Sequence, residues 1–291
     1  MPNPHTDNTS FGLVLEGGAM RGLFSCGVMD VLYEAGLRFD GIVGVSAGAA
    51  FGCNYKSHQP GRALRYNQRF AQDRRYCSLW SLISTGNIFS AEFAYHTVPT
   101  LYDPFDSATF QADDTEFHLV ATDVDTGKPV YKQLSTFDYT CLEWIRASSS
   151  MPLVSRCVML EGRRLLDGGI ADSIPLRYME QQGFRRNIVI LTQPDGYVKT
   201  PLRMRPLLRY MLRRKPRLWA AMEARPAMYN DQIVYVRARE KEGTAFVIRP
   251  DKSLPIRHIC HDSRQMQTVY DLGRRKAEQL VEQAKAFMQQ G

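Results

Sequence analysis

An α/β fold with a mostly parallel central sheet flanked by helices follows from one repeated pattern in the chain. Short apolar runs end abruptly in glycine-rich loops, and each loop leads into a stretch with helical or small-residue spacing. The first unit runs from Phe11-Gly12-Leu13-Val14-Leu15 through Glu16-Gly17-Gly18 into residues 20–35. There Leu23, Phe24, Val28, Val31 and Leu32 recur at helical spacing, and Gly36 supplies a stop. The second unit runs from residues 39–43 through Gly44-Val45-Ser46-Ala47-Gly48 into the mostly small stretch Ala49-Ala50-Phe51-Gly52. Two consecutive strand-loop-helix units are the building blocks of a parallel sheet.

Later apolar runs continue the pattern and predict strands over residues 117–122, 164–166, 187–191 and 244–248. Residues 56–115 are looser and rich in aromatics (Tyr76, Trp80, Phe89, Phe93, Tyr95, Tyr102, Phe105, Phe110), with interruptions at Pro60, Pro99 and Pro104. Such a stretch packs a core or, in a lipid hydrolase, lines an acyl pocket or covers it. Residues 203–225 are dense in cations: Arg203, Arg205, Arg209, Arg213, Arg214, Lys215, Arg217 and Arg225, beside Leu207, Leu208, Met211, Leu212, Leu218, Trp219 and Met222. This composition fits a solvated helix face or docking on an anionic membrane surface. Pro206, Pro216 and Pro226 are expected to break the segment into short pieces. Residues 265–290 read as one amphipathic helix closing the fold. The division expected is a catalytic domain over residues 11–183 and an α/β extension over 184–291 packed on it, which carries the basic segment.

The bulk properties exclude several classes. The 291 residues are 44% apolar, yet no run approaches the roughly 20 apolar residues of a membrane span. Residues 1–8 have neither a basic n-region nor an apolar h-region, so a cytoplasmic protein is expected, with peripheral contact at the inner membrane face. Cys26, Cys53, Cys77, Cys141, Cys157 and Cys260 are scattered without redox or zinc spacing. A net charge of +7 favours an anionic partner, lipid or nucleic acid. No nucleic-acid-binding signature accompanies the charge, so none is expected to bind.

Chemistry points to Ser46. A strand that turns sharply into a helix strains the backbone and presents the hydroxyl at the tip, while Gly44 and Gly48 leave room for helix to pack on strand. A serine nucleophile needs a base and preformed oxyanion donors. The donors are the amides of Gly17-Gly18-Ala19, with Arg21 shaping the loop or adding positive potential. A phosphate-binding P-loop would need Lys and Ser or Thr where Leu23 and Phe24 stand, and a dinucleotide fingerprint would need glycine at Ala19. The base candidate is Asp167, at the end of a strand and before Gly168-Gly169. His258 and His261 follow Asp167 in the chain order of an ordinary hydrolase triad and remain alternatives as base. A carboxylate at Glu16 aimed at the oxyanion would oppose catalysis, so it is expected to turn away and pair with a cation such as Arg21.

The loop with Arg21, the elbow at Ser46 and Asp167 with its two glycines, in this order, resemble the three signature blocks of the bacterial patatin-like phospholipase family. Ala121-Thr122-Asp123-Val124-Asp125-Thr126-Gly127 and Arg146-Ala147-Ser148-Ser149-Ser150-Met151-Pro152 are similar to two further family segments. The resemblance covers roughly residues 11–183 and implies a Ser46–Asp167 dyad that hydrolyses acyl lipids without metal or cofactor. One departure is Ala19, where the family usually has a third glycine. A positive φ there would cost about 1 kcal/mol. Ala19 and the basic segment also motivate a second expectation: a catalytically weak protein that keeps the fold to bind lipid or a membrane surface.

Overall fold

The computed structural model describes residues 10–73, 75–76, 86 and 90–289. Expectations for residues 1–8, Cys77, Trp80 and Phe89 lie outside the described residues. Among the described residues, eight strands form one sheet: β1 Phe11–Leu15, β2 Gly41–Val45, β3 Glu116–Asp123, β4 Pro129–Leu134, β5 Val158–Leu160, β6 Arg163–Asp167, β7 Arg186–Ile190 and β8 Ala245–Ile248. The order is β5-β6-β3-β2-β1-β7-β8, with β4 also on β3. The run from β3 through β2, β1 and β7 to β8 is parallel, whereas β4, β5 and β6 pair antiparallel.

Alternation along the central strands builds two core layers. Leu13, Leu15, Ile42, Leu119 and Ile190 face one side. Val14, Val43, Val45, Val120 and Val189 face the other. The first layer is covered by α1 Gly22–Glu34, α2 Ala47–Lys56, α3 Arg62–Arg69, α4 Ser107–Ala112, α5 Tyr139–Ser148 and α9 Ser263–Gln289, together with a π-helix over Ala91–Tyr102. The second is covered by α6 Leu176–Gln181 and α8 Pro216–Lys241, while α7 Arg205–Met211 adjoins a small third cluster around Leu212, Leu218 and Trp219.

Gly36 ends α1 as expected, at φ +81°, with its own amide and that of Leu37 capping Tyr33 and Leu32. Helix α9 closes the fold by crossing α1 at glycines. A Cβ at Gly273 would sit 2.0 Å from the Phe24 carbonyl oxygen, so only glycine permits this approach. Pro226 does not break its segment: α8 runs unbroken for 26 residues, with Pro216 in its first turn and Pro226 inside. Pro226, Tyr229 and Val236 are buried there, and that burial over a long helix offsets the one backbone hydrogen bond proline removes. Pro99 likewise lies inside the π-helix rather than ending it.

One feature of the sheet positions the site. Along a single edge of β3, β2 pairs with residues 116–120 and β6 pairs antiparallel with residues 121–123. The C-terminal ends of β2 and β6 therefore meet head to head between Val120 and Ala121. Ser46 follows the one, and Asp167 is the last residue of the other.

Candidate active site

Ser46 joins β2 to α2 at φ 56°, ψ −121°, a region costly for any residue with a Cβ, of order 1–3 kcal/mol. Packing holds it there. Its amide donates to Ser148 Oγ at 3.0 Å, and Ser148 Oγ donates to the Val120 carbonyl at 2.6 Å. A Cβ on Gly44 would lie 2.4 Å from the Gly48 carbonyl oxygen, and one on Gly48 2.5 Å from that of Leu15, so the turn can close only with glycine at both places.

Asp167 is buried at 6% exposure and anchored by backbone: its amide donates to the Ser150 carbonyl at 2.7 Å, and its carbonyl accepts from Thr122 Oγ1 at 2.8 Å. Oδ1 accepts the Gly169 amide at 2.8 Å. Burial raises its pKa above the ordinary value, against the opposing pull of Arg225, of the neighbouring Ser46 hydroxyl and of the Gly169 amide. The result is a stronger base than an exposed aspartate, with the Ser46 hydroxyl among the groups that act on it.

Gly17 lies directly against the elbow, since a Cβ there would sit 3.1 Å from Ser46 Cβ and 2.8 Å from the Val45 carbonyl oxygen. Among the described residues, the amides of Gly17, Gly18 and Ala19 donate to no protein acceptor. They are free to hold an oxyanion. Ala19 stands at φ 49°, so its Cβ is strained there. Ala19→Gly is expected to raise Tm by about 2 °C in a thermal unfolding scan, from relief of about 1 kcal/mol; an unchanged or lower Tm contradicts the assigned strain.

Glu16 turns away from the loop, but its partners are not the expected cation. Its carboxylate accepts the Thr192 amide at 2.5 Å and the Tyr229 hydroxyl at 2.8 Å, and burial raises its pKa. Arg21 instead meets His258 Nε2 at 3.2 Å. His258 therefore stands beside Arg21 rather than between Ser46 and Asp167, and His261 is bound to the Ala71 carbonyl at 2.6 Å. Neither histidine occupies the position of a triad base.

From Ser46, Ala19 and Met20 a cavity of about 890 Å³, counting its open mouth, runs beneath the aromatic region. Phe51, Tyr66, Tyr76, Tyr95, Val98, Pro99, Phe137, Leu142 and Ile145 line it. The other aromatics of that stretch fill the core: Phe93 and Tyr102 pack on Phe70, and Phe105 and Phe110 pack on Phe137. The stretch thus both packs the core and walls a cavity opening at Ser46.

Two site residues escaped sequence reasoning. Lys199 lies in the loop after β7, and Arg225 belongs to α8 although its position in the sequence placed it in the basic surface segment. A Cβ on Gly169 would lie 3.1 Å from both Arg225 Nη2 and Asp167 Oδ1. The signal for Lys199 was its place after a parallel strand, because loops at the C-terminal ends of such strands gather at one rim.

Fold and geometry together define a member of a known class. A family model described as patatin-like phospholipase matches residues 13–179, and this chain belongs to that family. A second model, a domain of unknown function (DUF6363), matches residues 215–289. The uncharacterized protein YjjU of Escherichia coli is 34% identical over 197 residues, covering 65% of this chain and 54% of YjjU. Lysophospholipase nte1 of Aspergillus oryzae is 30% identical over 181 residues, covering 60% of this chain and 11% of nte1. The uncharacterized NTE family protein MT1093 of Mycobacterium tuberculosis is 29% identical over 191 residues, covering 66% of this chain and 51% of MT1093. The chain thus spans about half the length of these bacterial relatives and a small part of the fungal one.

Proposed function

We propose that this protein is a serine acyl hydrolase that cleaves carboxylic ester bonds of phospholipids or related acyl lipids. The observation that carries the reading is the meeting of β2 and β6, which sets a strained serine hydroxyl against a buried carboxylate. In this mechanism Asp167 accepts the Ser46 proton as Ser46 Oγ attacks the ester carbonyl. The amides of Gly17, Gly18 and Ala19 stabilise the tetrahedral oxyanion. Its collapse protonates and releases the alcohol, leaving an acyl-enzyme, and water activated by Asp167 then frees the fatty acid. The acyl chain occupies the apolar cavity. The names of the relatives support a lipid ester as substrate.

The family's fold also permits a catalytically weak protein that binds lipid, a reading favoured by the strained Ala19 in the loop together with the basic segment 203–225. A panel of phospholipids, lysophospholipids and acylglycerols, with products identified by mass spectrometry, separates the two. Release of free fatty acid by the parent protein and not by Ser46→Ala supports the hydrolase. Binding without release by the parent supports the alternative.

The same reading includes peripheral docking by a cytoplasmic protein on anionic membranes. Among the described residues no helix is long and apolar enough to cross a membrane, and the five described cysteines are unpaired. Met204, Leu207, Tyr210 and Met211 are exposed on and beside α7, among exposed Arg203, Arg209, Arg213 and Arg214. Arg205 is engaged by Glu223. Apolar side chains among basic ones suit insertion at an anionic interface. Cosedimentation with phosphatidylglycerol vesicles at low salt is expected, weakened about tenfold or more by the pair Arg209→Glu and Arg213→Glu, since each basic residue is worth about 1 kcal/mol near such a surface. Equal binding by the parent and the double variant removes this surface from the account of docking.

A further inference from the structure

Beyond the residues that the patatin model matches, the chain delivers cations to the rim of the site. Lys199 Nζ stands 4.4 Å from the centroid of the Tyr229 ring, whose hydroxyl is spent on Glu16. Arg225 reaches Gly169 beside Asp167, and Arg21 touches His258 at 3.2 Å. These groups sense one another: Lys199 is pushed down to about 8, by burial first and then by Arg225, with Arg21 adding to the effect against the opposing pull of Glu16 and Asp167. His258 is lowered by burial, then by Arg21, Lys199 and Arg225.

The carboxylates of Glu16 and Asp167 act on this cluster through space, but among the described residues no acid is in contact with it: Arg21, Lys199 and Arg225 form no ion pair within 4.0 Å. The Nε atoms of Arg21 and Arg225 are buried without a hydrogen-bond partner. Of the acids nearby, Glu16 already accepts from Thr192 and Tyr229, and Asp167 faces Ser46 and Gly169. Converging cations with unspent donors are costly alone and are relieved by an anion that accepts from several of them at once. Two guanidinium forks and an ammonium match a tetrahedral oxyanion better than a planar neutral group. None of the four lines the apolar cavity.

We propose that Arg21, Lys199, Arg225 and His258 form a binding site for a phosphate-type oxyanion beside Ser46 and outside the acyl cavity. Resting on the hydrolase reading, the expected source is the phosphate of a lipid's leaving group, seated while its acyl chain fills the cavity. Free phosphate offers the same chemistry, and two measurements distinguish the sources. The first needs no catalysis. The thermal unfolding of the parent, Lys199→Gln and the pair Lys199→Gln with Arg225→Gln is followed with inorganic phosphate and with a short-chain acylglycerol phosphate. The matching uncharged acylglycerol and equal ionic strength of chloride serve as controls.

Stabilisation of the parent by inorganic phosphate, lost in the double variant, supports the site with a free ion as sufficient ligand. Stabilisation by the acylglycerol phosphate alone, lost in the same way, supports the headgroup as its source. Absence of both, or an equal response in parent and double variant, overturns the proposal. The second measurement is the ratio of kcat/KM for the acylglycerol phosphate to that for the uncharged acylglycerol. Lys199→Gln is expected to lower this ratio about tenfold, the worth of one charge-assisted hydrogen bond, and Lys199→Arg to restore part of it. An unchanged ratio overturns the headgroup assignment. If the parent hydrolyses neither ester, the hydrolase reading falls while the binding result still decides the oxyanion site. Far-ultraviolet circular dichroism of each variant establishes that a lost response is not lost folding.

Discussion

Ser46→Ala lowers kcat/KM for a short p-nitrophenyl acyl ester by about 10⁴-fold or more, down to what the oxyanion donors and the cavity provide without a nucleophile. The size of the effect follows from the loss of the attacking oxygen, which the hydroxyl bonded to the elbow does not replace. Ser148 spends its hydroxyl on the Val120 carbonyl and receives the Ser46 amide, so it supports the elbow. The variant should fold like the parent, because alanine keeps the backbone geometry and Ser148 still receives the amide of residue 46. Activity within tenfold of the parent contradicts the assignment of Ser46.

Asp167→Asn lowers the same parameter by about 10³-fold or more. Asparagine keeps an oxygen for the Gly169 amide but cannot accept the serine proton. The pH dependence follows from the raised pKa. Catalysis requires the ionised carboxylate, so kcat/KM of the parent falls as pH drops through a midpoint above the ordinary 3.8. Arg225 is the largest influence holding that midpoint down, so Arg225→Gln moves the acid limb to higher pH. A limb that stays in place separates Arg225 from the base.

Stability runs the other way. Because the folded-state pKa is raised, the stability Asp167 contributes is present below its unfolded value and lost as pH rises through the folded value. The ionised group is a cost at neutral pH, incurred for a strong base in a dry site. Asp167→Asn is therefore expected to have a Tm at pH 7 no lower than that of the parent.

The legible parts of this chain were those whose physics is local. Central parallel strands are buried on both faces and read as continuous apolar runs, which is why β1, β2, β3, β7 and β8 stood out, while antiparallel β6 showed through its buried end Leu165-Leu166 before Asp167. Strand β4 was missed because its residues are mostly half-exposed, including Lys132 and Gln133, and β5 because three residues carry no pattern. Ser46, Asp167 and the Gly17-Gly18-Ala19 loop were found because strand ends and glycines mark their turns. Their meeting was not legible, since the shared edge of β3 is a register fact between segments over a hundred residues apart. Pro226 misled for a related reason: the burial that carries α8 past it comes from tertiary packing. Arg225 looked like surface charge, and only the path of α8 brings it to Asp167. Glu16 showed the same limit, because its partners Thr192 and Tyr229 are far away in the chain.

The central claim is that Ser46 is the nucleophile, and its most direct measurement is the site of covalent labelling by a fluorophosphonate. The parent is treated, digested and mapped by tandem mass spectrometry, beside Ser46→Ala. One phosphonyl adduct on Ser46, absent from the alanine variant, is the expected result. An adduct at another residue, or equal labelling of Ser46→Ala, contradicts it.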